Sequence, residues 1–122
     1  MKNSLQTLDQ AITFEDLNGW MVSQQMVQKV IEQIQKDFAQ HDLCIEVEGG
    51  RIIETIQQHI ERLLHDDYQK LQNLLYRIDI DERKQIHLQT MHQNMPERDV
   101  ISFLIIQREA QKVFFKEYYK NM

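Results

Sequence analysis

The chain has 122 residues, which is enough for one domain and too few for two, so residues 1–122 are expected to form a single domain. Its 42% hydrophobic and 27% charged residues are ordinary for a globular protein, and a net charge of −5 argues against nucleic acid as a partner. A single cysteine excludes an internal disulfide, and the lack of a signal sequence or a long apolar run predicts a cytoplasmic protein that does not associate with membranes.

Three glycines and one proline are very few for this length, and helix-forming residues are abundant. The fold is therefore predicted to be mainly all-α, a small antiparallel bundle of three long helices with one or two short ones. Near the start of the chain, Thr13 is predicted to cap a helix, with Asp16 at the third position to complete a capping box. Asn18 and Gly19 are expected to interrupt that first helical segment.

The first long helix is predicted over residues 20–39, where apolar side chains recur on one face and glutamines and charged residues fill the other. Residues 43–47 alternate apolar and polar side chains, which is the period of a strand. A hairpin closed by Gly49 and Gly50, a loop, one short strand and a strand pairing with another chain all fit this segment. We favour a loop or a single short strand.

The second apolar stripe keeps one face over residues 51–78, which predicts one long helix or two nearly collinear helices. Asp81 is a natural cap for a short helix over residues 82–91. Pro96 suits the first turn of a third long helix, over residues 96–120.

The last helix is apolar on two opposite faces, and three or four helices could hardly bury both. This argument predicts a homodimer that forms through the helix. Its C-terminal end holds four aromatic residues within six positions, and aromatic side chains dominate the energy of protein interfaces. The predicted interaction surface comprises Phe103, Ile106, Val113, Phe114, Phe115, Tyr118 and Tyr119.

Asp67 lies in the middle of the apolar stripe of the second helix if that helix is continuous, and Arg108 lies likewise on the last helix. A buried charge needs a partner, so the two residues are predicted to form a buried ion pair. The alternative is that Asp66 caps a new helix, with Gln69 at its third position, which would leave Asp67 in a solvated first turn.

The sequence contains few residues that are arranged for catalysis or for metal binding. The five histidines lack the spacing of three or four residues at which helical side chains converge on a metal, so solvated histidines are expected and no metal or cofactor is predicted. Cys44 has no basic cluster to activate it and is expected to be a buried, inert thiol. No catalytic residues are predicted, and no motif identifies a family.

Two functions follow from these observations. The first is a non-enzymatic protein-interaction or regulatory module that acts as a homodimer or as a subunit of a larger assembly. The second is a small-ligand-binding or metal-binding helical protein, a class that includes enzymes, with a polar site around inward-facing Asp67, Tyr76 or Arg108. The first function is favoured because the sequence has no catalytic motif and because the last helix has more apolar surface than one small bundle is expected to bury.

Overall fold

The computed structural model describes residues 4–120, and its architecture over that range confirms the all-α prediction, with seven helices and no strand. None of the helices in the described part combines the length and the apolar character needed to cross a bilayer. The helices are α1 (Ser4–Asp9), α2 (Phe14–Ser23), α3 (Val27–Ala39), α4 (Ile52–Asp66), α5 (Tyr68–Ile78), α6 (Glu82–Met91) and α7 (Glu97–Lys120).

The capping box predicted at the start of α2 is confirmed. The Asp16 backbone N–H donates to Thr13 Oγ1 at 3.0 Å, and the Thr13 backbone N–H donates to Asp16 Oδ2 at 3.2 Å. These two bonds satisfy donors that the first turn of a helix leaves without a partner, which fixes where α2 begins.

The predicted helix over residues 20–39 is wrong in one respect, because it is divided between α2 and α3. Gly19 does not end a helix and lies inside α2. The chain turns instead at Gln25, whose left-handed φ of 57° is unusual for a residue with a side chain. The apolar stripe runs through the turn because Trp20 in α2 and Val30 in α3 both face the common core.

The second long helix is likewise divided, into α4 and α5, as the two-helix alternative allowed. Asp67 breaks the helix with a φ of −154°.

The segment 43–47 is irregular and does not form a strand. Its alternating apolar residues are nevertheless more buried than the polar residues between them. Ile45 is buried, and its carbonyl accepts a hydrogen bond of 3.1 Å from the Gln35 side chain.

Helix α7 is the centre of the fold, and each of the other six helices packs against it. Phe103 and Ile106 on one face and Val100 and Ile105 on the other are all essentially inaccessible to solvent. The two-faced helix is therefore covered by its own chain along most of its length. The expectation that one chain could not bury both faces was wrong, because all six other helices pack against α7.

Candidate functional site

A cluster of polar side chains, of which two are buried and two are partly exposed, lies where α3 packs against α7. We call Gln33, Asp37, Glu109 and Lys112 the α3–α7 polar cluster. Lys112 Nζ lies 3.0 Å from Asp37 Oδ2 and 3.0 Å from Glu109 Oε1, and the Gln33 amide donates to Asp37 Oδ1 at 3.2 Å. The Glu109 side chain is fully buried, and that of Asp37 is 12% exposed. One ammonium group therefore faces two carboxyl groups inside the protein.

The two carboxyl groups differ in their affinity for protons. Burial above all, and then the hydrogen bond and negative charge of Asp37, raise the pKa of Glu109 to about 8 despite the opposing effect of Lys112. Burial also opposes ionisation of Asp37, but hydrogen bonds from Glu109, Lys112 and Gln33 outweigh it and lower the pKa of Asp37. Asp37 is thus an anion at neutral pH, and Glu109 is mostly protonated.

Sequence reasoning missed this cluster, although a signal for it is present. Glu109 follows Ile106 by three positions and precedes Val113 by four, so it lies on the apolar face of α7 that carries these two residues. Asp37 directly precedes the buried Phe38 in α3. Both acids thus lie among the apolar residues of the two helix faces that pack together.

The buried pair predicted between Asp67 and Arg108 is wrong. Asp67 is exposed and caps α5, where its side chain accepts a hydrogen bond of 3.1 Å from the Lys70 backbone N–H. Arg108 lies instead 3.6 Å from Asp79 Oδ2, in an ion pair that is open to solvent. The alternative prediction, in which a new helix begins here, is correct except for its cap. The capping residue is Asp67, one position after the predicted Asp66. A carboxylate at a helix start needs no buried cation, because backbone N–H groups satisfy it.

The last two turns of α7 carry four aromatic rings in mutual contact. We call Phe114, Phe115, Tyr118 and Tyr119 the aromatic end of α7. Phe114 packs on the core through Trp20, at a distance of 6.2 Å between ring centroids. Phe115, Tyr118 and Tyr119 are 38%, 55% and 64% exposed, which is unusual for neighbouring aromatic residues.

The predicted interaction surface is therefore divided by the structure. Phe103, Ile106 and Val113 are buried in the core of the chain and cannot contact another molecule without unfolding. The aromatic end remains as the accessible part of that surface.

Two adjoining clefts run alongside α7, with volumes of about 190 and 270 Å³. Lys84, Leu104 and Gln107 line both clefts. Arg108 lines the smaller cleft, and the exposed side chain of Met91 lines the larger one. The smaller cleft also contains Asp79 and Asp81, so its charges balance, whereas in the larger cleft Lys84 lies beside mainly apolar side chains.

The other predicted site residues do not converge. Tyr76 points away from the core and is 90% exposed. Cys44 is exposed, so the expectation of a buried thiol was wrong; the alternating segment turns Ile45 inward and Cys44 outward. Within residues 4–120, no three histidine, cysteine or acidic side chains are grouped so that they could hold a metal ion.

Comparison with known proteins adds no relative. No family model, no curated protein and no solved structure matches this chain.

Proposed function

We propose that the protein is a non-enzymatic interaction module that assembles as a homodimer through the aromatic end of α7. The observation that supports this function is the exposure of Phe115, Tyr118 and Tyr119 side by side on one helix end. Three neighbouring aromatic side chains left in water are costly, and burying them against a second copy would recover the apolar area that folding leaves exposed.

The surroundings of the aromatic end suit a second copy of the same chain. Glu117 pairs with Lys29 at 2.9 Å, and the Lys116 ammonium donates to Gln33 Oε1 at 2.6 Å. Charges of both signs thus border the rings, so the surface can meet its own copy across a two-fold axis without like charges facing one another. An apolar centre with a polar rim is the usual arrangement of a protein interface.

Exchanging both exposed tyrosines for serine, in Y118S/Y119S, is expected to convert the dimer into a monomer. Loss of one aromatic residue at the centre of an interface costs about 2 kcal/mol or more, roughly 30-fold in association, and Y118S/Y119S removes four such side chains from the dimer. Light scattering on a size-exclusion column, over a dilution series from tens of micromolar, measures the mass of each variant.

The matched control is Y68S/Y76S, which removes two exposed tyrosines of α5, 53% and 90% accessible. We expect this variant to keep the mass of the wild type. A wild-type protein that is a monomer throughout the series would contradict the proposal, as would a dimer that both double variants retain.

We also propose that the module is cytoplasmic. Cys44 is the sole cysteine of the chain, and its thiol is exposed. A reducing compartment keeps such a thiol from forming disulfides between molecules.

The clefts along α7 favour a second candidate function, the binding of a small molecule. In the larger cleft, Lys84 beside Leu88 and Met91 would suit a ligand with an apolar body and one carboxylate. Octanoate is a suitable probe: we expect it to raise the melting temperature of the wild type and not that of K84Q. An equal shift, or none, in both proteins would contradict this candidate.

A further inference from the structure

The α3–α7 polar cluster has an imbalance of charge that its geometry does not relieve. The ammonium of Lys112 is 3.0 Å from an oxygen of each carboxyl group, so one positive charge serves two acids. If both acids were ionised, the cluster would carry a net negative charge with the Glu109 side chain fully buried, and burial of an unpaired charge is unfavourable.

The hydrogen bonds of the cluster indicate how the imbalance is relieved. Both oxygens of Glu109 are shielded from solvent, and no conventional donor among residues 4–120 bonds to them with good geometry. The Asp37 carboxyl group nevertheless acts directly on Glu109, since its hydrogen bonding and its negative charge both raise the pKa of Glu109. Two carboxyl groups can bond to one another only when one of them carries a proton, because a carboxylate is an acceptor alone.

We propose that Asp37 and Glu109 share one proton at neutral pH, and that the α3–α7 polar cluster is a pH-sensitive contact that loosens α3 from α7 when the proton is lost. This inference is independent of the proposed dimer, because the cluster lies within one chain.

In the neutral form, Glu109 donates its carboxylic proton to the Asp37 carboxylate, and Lys112 balances the single remaining charge. At alkaline pH the proton leaves to solvent, and two carboxylates face one ammonium group. Asp37 from α3 and Lys112 from α7 are the charged groups that act on Glu109. Gln33 cannot compensate, since its neutral amide bonds to Asp37.

The sign of the pH dependence follows from linkage. The pKa of Glu109 is raised from 4.5 to about 8, so the folded chain holds a proton that the unfolded chain has released. Stability is therefore highest on the acidic side of this interval and falls as the pH rises towards 8. With these values the unfolding equilibrium constant increases about tenfold between pH 7 and pH 9, after which Glu109 makes no further contribution.

The test compares the wild type with Glu109→Gln, whose amide can donate to Asp37 at any pH. Urea unfolding followed by circular dichroism, at one protein concentration, is repeated from pH 6 to pH 9.5. We expect the unfolding constant of the wild type to rise about tenfold between pH 7 and pH 9 and that of E109Q to stay nearly constant. The control is Glu32→Gln, the same exchange at an exposed position of α3, which should retain the wild-type profile.

A spectroscopic measurement on the folded wild type keeps the inference testable even if E109Q does not fold. Infrared titration in D₂O should show the carbonyl band of a protonated, buried carboxylic acid at pH 7 and its loss near pH 8. The protection factors of the α3 amides, which correct hydrogen exchange for its intrinsic rate at each pH, should fall over the same interval. Absence of the carboxylic band at pH 7, or equal pH profiles for the wild type and E109Q, would overturn the proposal.

Discussion

Replacement of Phe103 by alanine is expected to destabilise the folded chain by about 3–5 kcal/mol. The Phe103 side chain is 1% exposed and packs edge to face against Phe14, with 5.9 Å between ring centroids. Truncation would leave a cavity beside the central helix and would remove this aromatic contact. Urea unfolding at neutral pH measures the loss as a lower midpoint with an unchanged slope.

The control for this prediction is Phe115→Ala, the same exchange further along the same helix at a position that is 38% exposed. It should change stability much less at a concentration where the chain is monomeric. If F103A were to alter solution mass while leaving the stability of the monomer intact, Phe103 would belong to an interface and the central position of α7 would be contradicted.

The second large effect is expected for Lys112→Met, which keeps most of the side-chain volume and removes the charge. Asp37 would then be a buried anion without its cation, and loss of one partner from a buried ion pair costs about 3–5 kcal/mol. The loss should show in urea unfolding at pH 7. Lys36→Met, at an exposed position on the last turn of α3, is the control and should have little effect.

Acid should reduce the effect of K112M. In the wild type the pKa of Asp37 lies below its usual 3.8, so its ionised form contributes stability that is present above that value and is lost as the pH falls through the lowered pKa. Without Lys112 this pKa should rise, and Asp37 should take up a proton at a higher pH than in the wild type. A defect of K112M that is the same at pH 7 and at pH 4 would show that packing, rather than charge, causes it.

Sequence reasoning was most successful where a local interaction determines the structure. The Thr13 and Asp16 capping box and the Asp81 cap of α6 each depend on residues within one turn, and the structure confirms both. The start of α7 after Pro96 was predictable for the same reason, since proline constrains its immediate neighbours.

Tertiary arrangement was harder to predict because apolar periodicity does not reveal a turn between helices that share a core. Gln25 reverses the chain with a left-handed backbone although it is neither glycine nor asparagine. Asp67 was ambiguous because a residue on an apolar stripe can equally be a helix cap. The predicted pair also depended on the partner of Arg108. That partner is Asp79, which only the folded chain brings close to Arg108.

The two candidate sites likewise differ in whether their residues are close together in the sequence. The aromatic end of α7 could be identified from sequence because its four aromatic residues lie within six positions. The α3–α7 polar cluster joins residues more than 70 positions apart, such as Asp37 and Lys112, and only the packing of two helices brings them together.

The central position of α7 also bears on the order in which the protein can fold during synthesis. The helix that contacts all the others is the last of the seven to leave the ribosome. Helices α1–α6 therefore lack the element against which they bury their apolar faces until residues 97–120 have been translated. A nascent chain in that state exposes apolar surface, which is the situation in which chaperones bind.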